Sequence, residues 1–228
     1  LYCLRAEDGA LVWKHRGAPS MSMVLGNDHM ISRWPARGGP VLLEGTVYYA
    51  AGIWPSESIF IYAVDAESGK EKWRNDKSGS LYMPQPHGGA EAKSGVSAQG
   101  YLAATKELFF VPTGRAVPAA FDCAEGKLKY FHLQRYGHFG GCDVVAFDSY
   151  FINAGNLYDG ESGLLLRRGV GKCVVGPHTF IAVNSKEFAV YNRASLWKLK
   201  TGFDRKGTKI TRKEFSRPLR RCGHFSGE

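Results

Sequence analysis

Residues 61–73 read IYAVDAESGKEKW, and three other stretches of the chain repeat the same design. Residues 1–13 read LYCLRAEDGALVW, residues 118–130 read PAAFDCAEGKLKY, and residues 155–167 read GNLYDGESGLLLR. In each copy an apolar run leads into a cluster of acidic residues and glycine, and a second short run follows. This pattern predicts a β-hairpin whose glycine adopts a positive φ. The turn glycines are Gly9, Gly69, Gly126 and Gly163, spaced by 60, 57 and 37 residues.

Two further strand-like runs precede each complete hairpin. Before the second hairpin they cover residues 40–44 and 46–51. Equivalent runs cover residues 101–105, 107–112, 143–147 and 150–154, and a fifth unit follows at residues 173–175, 179–184, 187–192 and 195–199. Four antiparallel strands repeated at this spacing are typical of β-propeller blades. We therefore predict an all-β chain in which residues 1–200 form about four to five blades of a larger, seven- or eight-bladed ring.

The hairpin at residues 61–73 resembles the tryptophan-docking motif of the PQQ-like (quinoprotein alcohol dehydrogenase-like) β-propellers. Its pattern, Ala-x-Asp-x-x-Ser-Gly-x-x-x-Trp, is complete at Ala63, Asp65, Ser68, Gly69 and Trp73. The other copies keep part of it, namely Gly9 and Trp13; Ala120, Asp122, Gly126 and Tyr130; and Asp159, Ser162 and Gly163, with Arg167 where the aromatic residue is expected. The resemblance implies that the aromatic side chain packs between blades against the small alanine of the next blade, while the aspartate holds the turn.

The same resemblance implies two alternative functions. Members of the group include non-catalytic scaffolds of the bacterial envelope and dehydrogenases that oxidise an alcohol or sugar with PQQ and calcium. The dehydrogenases hold the quinone with tryptophan, arginine, an acidic base and carboxylate-bound calcium, and many have a disulfide between adjacent cysteines. The five cysteines of this chain are not adjacent, and neither the base nor the calcium ligands can be mapped onto it. We therefore favour a non-catalytic propeller that binds a ligand or protein partner in the periplasm or cell envelope; PQQ and calcium belong to the alternative.

Candidate binding residues lie in the segments expected on one face of the propeller. These are the connections between blades and the loops between second and third strands, where function concentrates on such scaffolds. Together they predict a cationic mouth for an acidic or planar ligand, formed by Arg37, His87, Glu91, Lys93, Arg115 and His138. The alternative is that each is an ordinary solvated loop residue.

Positive charge is concentrated at the end of the chain. The net charge is +9, and residues 198–228 contain ten Lys or Arg against three acids, which leaves this segment at +7. We expect residues 201–228 to be a basic linker or the start of another element; contact with nucleic acid or an anionic surface is the less favoured alternative. No apolar run is long enough for a transmembrane helix. Because Leu1 falls inside a repeat, we expect the natural protein to extend upstream.

Overall fold

The computed structural model describes residues 1–85, 88–133, 140–183 and 188–193 as a succession of antiparallel β-sheets. The first sheet has two strands, β1 (Tyr2–Leu4) and β2 (Leu11–Lys14). A separate hairpin follows, formed by β3 (Met23–Gly26) and β4 (His29–Ser32). The described residues thus begin with the outer half of a blade, and the predicted all-β class is confirmed.

Three complete four-stranded sheets follow, each with its strands in sequence order. The second sheet contains β5 (Ala36–Leu43), β6 (Thr46–Ala51), β7 (Phe60–Asp65) and β8 (Glu71–Asn75), with a short 3-10 helix at Pro55–Glu57. After a hairpin of β9 (Leu81–Pro84) and β10 (Glu91–Ser94), the third sheet contains β11 (Ala103–Ala104), β12 (Leu108–Val111), β13 (Ala119–Asp122) and β14 (Leu128–Tyr130).

The fourth and fifth sheets complete the described part. The fourth contains β15 (Val144–Phe147), β16 (Tyr150–Asn153), β17 (Asn156–Asp159) and β18 (Leu165–Arg167). The fifth contains β19 (Lys172–Val175), β20 (Thr179–Val183) and β21 (Phe188–Asn192). The predicted strand at residues 195–199 and the basic segment 201–228 lie outside the described residues. The assignment of residues 1–200 and 201–228 to separate domains therefore stays a prediction.

The hairpins β3–β4 and β9–β10 differ from the sequence-based prediction. The strand-like runs predicted from the sequence do not include residues 20–33 or 83–94, yet each segment contains paired antiparallel strands. Both hairpins are inserted between consecutive sheets. They account for the longer spacings of 60 and 57 residues between turn glycines, against 37 where the fourth sheet follows the third.

The apolar core lies between neighbouring sheets, as the stacking of blades requires. The Tyr48 and Phe109 rings stack at 5.0 Å between the second and third sheets. Phe110 meets Phe151 at 4.8 Å between the third and fourth. Phe147 meets Phe180 at 5.8 Å between the fourth and fifth. Each sheet therefore buries large aromatic surface against its neighbour, which is the main stabilising contribution in this fold.

Candidate functional site

Three aromatic side chains each join their own sheet to a hairpin turn of the next sheet. In every case the indole N–H or the phenol O–H of the aromatic residue donates to a backbone carbonyl. The acceptor is the residue that directly follows the turn aspartate. The bonds join Trp13 Nε1 to Ala66 at 3.0 Å, Trp73 Nε1 to Cys123 at 2.9 Å, and Tyr130 Oη to Gly160 at 2.9 Å. The three aromatic residues occupy equivalent places in successive sheets.

The turn glycines lie directly against these rings. A Cβ atom on Gly126 would stand 2.4 Å from the Trp73 ring, and one on Gly69 or Gly163 would stand 2.6 Å from the facing aromatic ring. Glycine is therefore required here by contact as well as by its φ of 67–68°. The sequence motif predicted the turn at each glycine but not the contact between the glycine and the aromatic ring. Ala63 and Ala120, also part of the motif, are fully buried in the third strands of their sheets.

The turn aspartates fix the hairpins through local hydrogen bonds. Oδ1 of Asp65 accepts from the backbone N–H of Ser68 at 2.9 Å and from its hydroxyl at 2.7 Å. These bonds with Ser68 lower the pKa of Asp65. They therefore have their full stabilising effect above the pH range in which an unfolded aspartate ionises, and the effect is lost only as the pH falls through the lowered pKa of Asp65. Asp159 accepts from the hydroxyl of Ser162 in the same way at 2.8 Å.

We predict that Glu125→Ser will stabilise the third sheet. Glu125 donates only its backbone N–H to Asp122, at 2.8 Å, whereas serine in the equivalent turns adds a hydroxyl bond. The gain should be about 0.5 kcal/mol, because the site is exposed and the Lys127 ion pair of Glu125 is lost. Urea unfolding can measure it, and Glu125→Ala, which lacks the hydroxyl, is the control. Equal midpoints for the two variants would contradict the prediction.

The junction of the fourth and fifth sheets contains an inter-sheet ion pair. The guanidinium of Arg193 makes a bidentate contact with Asp148, at 2.7 and 3.0 Å, and donates to the carbonyl of Gly176 at 3.0 Å. Asp148 lies in the first hairpin turn of the fourth sheet, whereas Arg193 directly follows β21. This planar pair joins the two sheets at the junction where Arg167 replaces the aromatic residue of the motif.

The connections between sheets cross directly over the loops between second and third strands. Gly79, in the connection after the second sheet, lies so near the Ile59 backbone that an added Cβ would be 2.3 Å from its nitrogen. Gly140 lies in the same way over Arg115, and the N–H of Gly171 donates to Gly155 at 3.1 Å. We call the surface formed by these connections and loops the connection face.

The loop at residues 52–59 is fixed by both adjoining connections. Arg33 forms an ion pair with Glu57 at 3.4 Å, and Nε1 of Trp34 donates to the Glu57 carbonyl at 2.5 Å. From the other side, the Ser97 hydroxyl donates to Ile53 at 2.9 Å, and that of Ser80 donates to Pro55. Two hairpins are thereby held in place on either side of this loop.

The predicted binding residues are spread over the connection face. Arg37 is half-buried in β5, and Arg115 is exposed in the loop before β13. Glu91 and Lys93 lie on the outer face of the β9–β10 hairpin, where Lys93 is paired with exposed Tyr82. No hydrogen bond or ion pair joins these four charged residues to one another. His87 and His138 lie outside the described residues, so the cationic mouth stays a prediction.

Sequence reasoning missed an exposed apolar feature of this face. On the β3–β4 hairpin, Leu25 is paired with Met30, and Met23 lies two residues along the same face. Their side chains are 75%, 60% and 45% exposed, respectively. Val24 and Ile31 form the opposite, half-buried face. The available signal was the short apolar run Met23-Val-Leu25, which is consistent with a strand.

Side chains that commonly bind metal ions are dispersed over the described residues. Among residues 1–85, 88–133, 140–183 and 188–193, no three His, Cys, Asp or Glu side chains lie together in a metal-binding arrangement. The four cysteines in these ranges are free thiols. No helix within the same ranges is long and apolar enough to span a membrane.

Comparison with solved structures identifies the fold. BamB from Moraxella catarrhalis superposes on 82% of this chain with a TM-score of 0.50 and 12% sequence identity. The chain folds as part of a β-propeller. The expected β-propeller fold is thereby confirmed, and the chain spans about half of BamB, or 54% of its length.

Other structures overlap less extensively. Quinohemoprotein alcohol dehydrogenase ADHIIG from Pseudomonas putida HK5 matches 75% of this chain and 31% of its own length, at 17% identity and a TM-score of 0.45. The computationally designed Ika4 protein matches 69% of this chain and 91% of its own length, at 12% identity and a TM-score of 0.43. No protein-family model and no curated protein sequence matches the chain.

Proposed function

We propose that this chain is part of a non-catalytic PQQ-like propeller that binds a protein partner through the β3–β4 hairpin. The observation that carries the proposal is the exposed apolar face formed by Met23, Leu25 and Met30. Contiguous apolar side chains on a soluble surface favour association, because burying them removes apolar area from water. Methionine side chains also adapt readily to the shape of a partner.

The partner should contribute an extended apolar segment. Within the described residues, β3 and β4 form a two-stranded sheet with no third strand on either edge. An added strand would pair with the unsatisfied backbone groups of such an edge, and its alternate side chains would cover Leu25 and Met30. The likeness to BamB supports the propeller scaffold. We further propose the bacterial periplasm or cell envelope as its location.

Site-specific crosslinking in cells of the source organism tests the proposal. A photoreactive amino acid at position 25 should capture a defined protein. The same amino acid at position 164 is the matched control, because Leu164 is also strongly exposed but lies in the turn after β17 of another sheet. We expect capture from position 25 and none from position 164.

The captured partner is then purified and its affinity measured directly. Leu25→Lys combined with Met30→Lys should weaken binding at least tenfold, whereas Leu164→Lys should leave it unchanged. Equal capture from both positions, or binding unaffected by the double substitution, would contradict the proposal. Stoichiometric binding of PQQ with calcium, accompanied by reduction of a dye, would favour the dehydrogenase alternative instead.

A further inference from the structure

The side chain of one histidine next to the first sheet packs against residues of the second sheet. His15 follows β2, and its imidazole packs edge-on against the rings of Tyr49 and Tyr62, at 5.8 and 5.1 Å. These tyrosines stack on each other at 5.0 Å on β6 and β7. Only 14% of the His15 side chain is exposed. The imidazole is therefore part of the interface between the first two sheets.

Both ring nitrogens of His15 face polar groups of the second sheet. Nδ1 lies 2.5 Å from the hydroxyl of Tyr49, and Nε2 lies 3.5 Å from a carboxylate oxygen of Glu71 on β8. Burial raises the pKa of Tyr49 far above neutral pH, so its hydroxyl keeps its proton. In the neutral imidazole, the hydroxyl donates to Nδ1 and Nε2 carries its hydrogen towards Glu71.

The groups around His15 shift its pKa in opposite directions. Burial is the largest effect and lowers the pKa of His15, whereas the Glu71 carboxylate raises it. The backbone nitrogen of Leu1 donates to the His15 carbonyl at 3.1 Å. Arg74 lies against the far tyrosine, Tyr62. The net effect is a lowered pKa.

We propose that His15 is a pH-sensitive latch that holds the first two sheets together while neutral and releases them when protonated. Protonation turns Nδ1 into a donor that faces the hydroxyl hydrogen of Tyr49. The hydroxyl must then rotate, and a phenol that is only 3% exposed loses its acceptor. A buried donor without a partner is destabilising, and so is a charge placed between two aromatic rings away from water.

The direction of the pH effect follows from the two states. The latched state has a His15 pKa below 6.5, whereas in the released state the imidazole is solvated and titrates near that ordinary value. The released state therefore binds the proton first. The latch has its full stabilising effect above about pH 6.5, and this effect declines as the pH falls towards the lowered pKa. Release would also free the connection that leads to the β3–β4 hairpin.

Hydrogen exchange at several pH values tests the latch on the intact chain. After correction for intrinsic exchange, amides of β1 to β4 should exchange several-fold faster at pH 5.5 than at pH 7.5. The matched reference is the third sheet, β11 to β14, whose protection should not change. His15→Gln is the matched variant: its carboxamide can accept from Tyr49 and donate towards Glu71, but it does not titrate. The variant should retain protection at pH 5.5.

Two results would overturn the proposal. One is unchanged exchange of β1 to β4 across this range in the natural chain, and the other is an unaltered pH response in His15→Gln.

If the variant does not fold, an NMR titration of the imidazole Cε1–H signals in the natural chain decides the question. A histidine titrating below 6.5, with its midpoint matching the loss of protection, supports the latch. Titration of every histidine at or above 6.5 excludes it.

Discussion

Replacing Trp73 by alanine should lower the free energy of unfolding by about 3–5 kcal/mol, the range for large aromatic side chains that pack against a core. The indole lies between the second and third sheets, 5.9 Å from the ring of Tyr48 and 5.7 Å from that of Phe109. Truncation would leave a cavity against the turn glycine Gly126 and an unpaired carbonyl on Cys123. Urea unfolding followed by circular dichroism would measure the loss.

Trp73→Phe separates the two contributions. Phenylalanine keeps an aromatic ring against Gly126 but removes the Nε1 hydrogen bond to Cys123. It should therefore cost about 1 kcal/mol for the lost bond, plus a smaller packing loss. If Trp73→Ala and Trp73→Phe shift the midpoint equally, the ring does not dock between the sheets. A shift near zero for Trp73→Ala would have the same meaning.

The local repeats were predictable from the sequence because each blade is specified by short-range chemistry. The aspartate, serine and glycine around Asp65 determine a hairpin turn through contacts within four residues. The alternating apolar runs on either side determine strands. The aromatic residues could be assigned to the junctions because their position relative to the turn recurs at Trp13, Trp73 and Tyr130.

The connection face was less predictable because its structure depends on contacts between distant segments. Arg33 and Trp34, in the connection before β5, contact Glu57, more than twenty positions later in the chain. The β9–β10 hairpin was not predicted because β10 consists of charged and small residues instead of an alternating apolar pattern, and β9 ends at Pro84. His15 gave no local signal, since its partners Tyr49 and Glu71 belong to another sheet.

Gly100→Ala should be comparably destabilising, by about 2–6 kcal/mol, although no motif marks this position. Gly100 has a φ of +118°, which strains any residue with a Cβ by about 1–3 kcal/mol. The added Cβ would also stand 2.0 Å from the backbone carbonyl oxygen of Cys142, which no side-chain rotation can relieve. Forcing this contact apart adds about 1–3 kcal/mol. Thermal and urea unfolding would measure the combined loss.

Gly45→Ala is the matched control for this substitution. Gly45 also has a positive φ, +69°, but an added Cβ would meet no atom within 4 Å. It should cost only about 1–2 kcal/mol for the left-handed backbone. The difference between the two variants then combines the contact with Cys142 and the larger backbone strain at the φ of Gly100. Gly100 accepts a hydrogen bond from Gly39 of the second sheet at 3.2 Å and lies against Cys142, which leads into the fourth. Equal losses of stability in the two variants would mean that the sheets do not converge at Gly100. The inference that their inner edges pack closely would then be wrong.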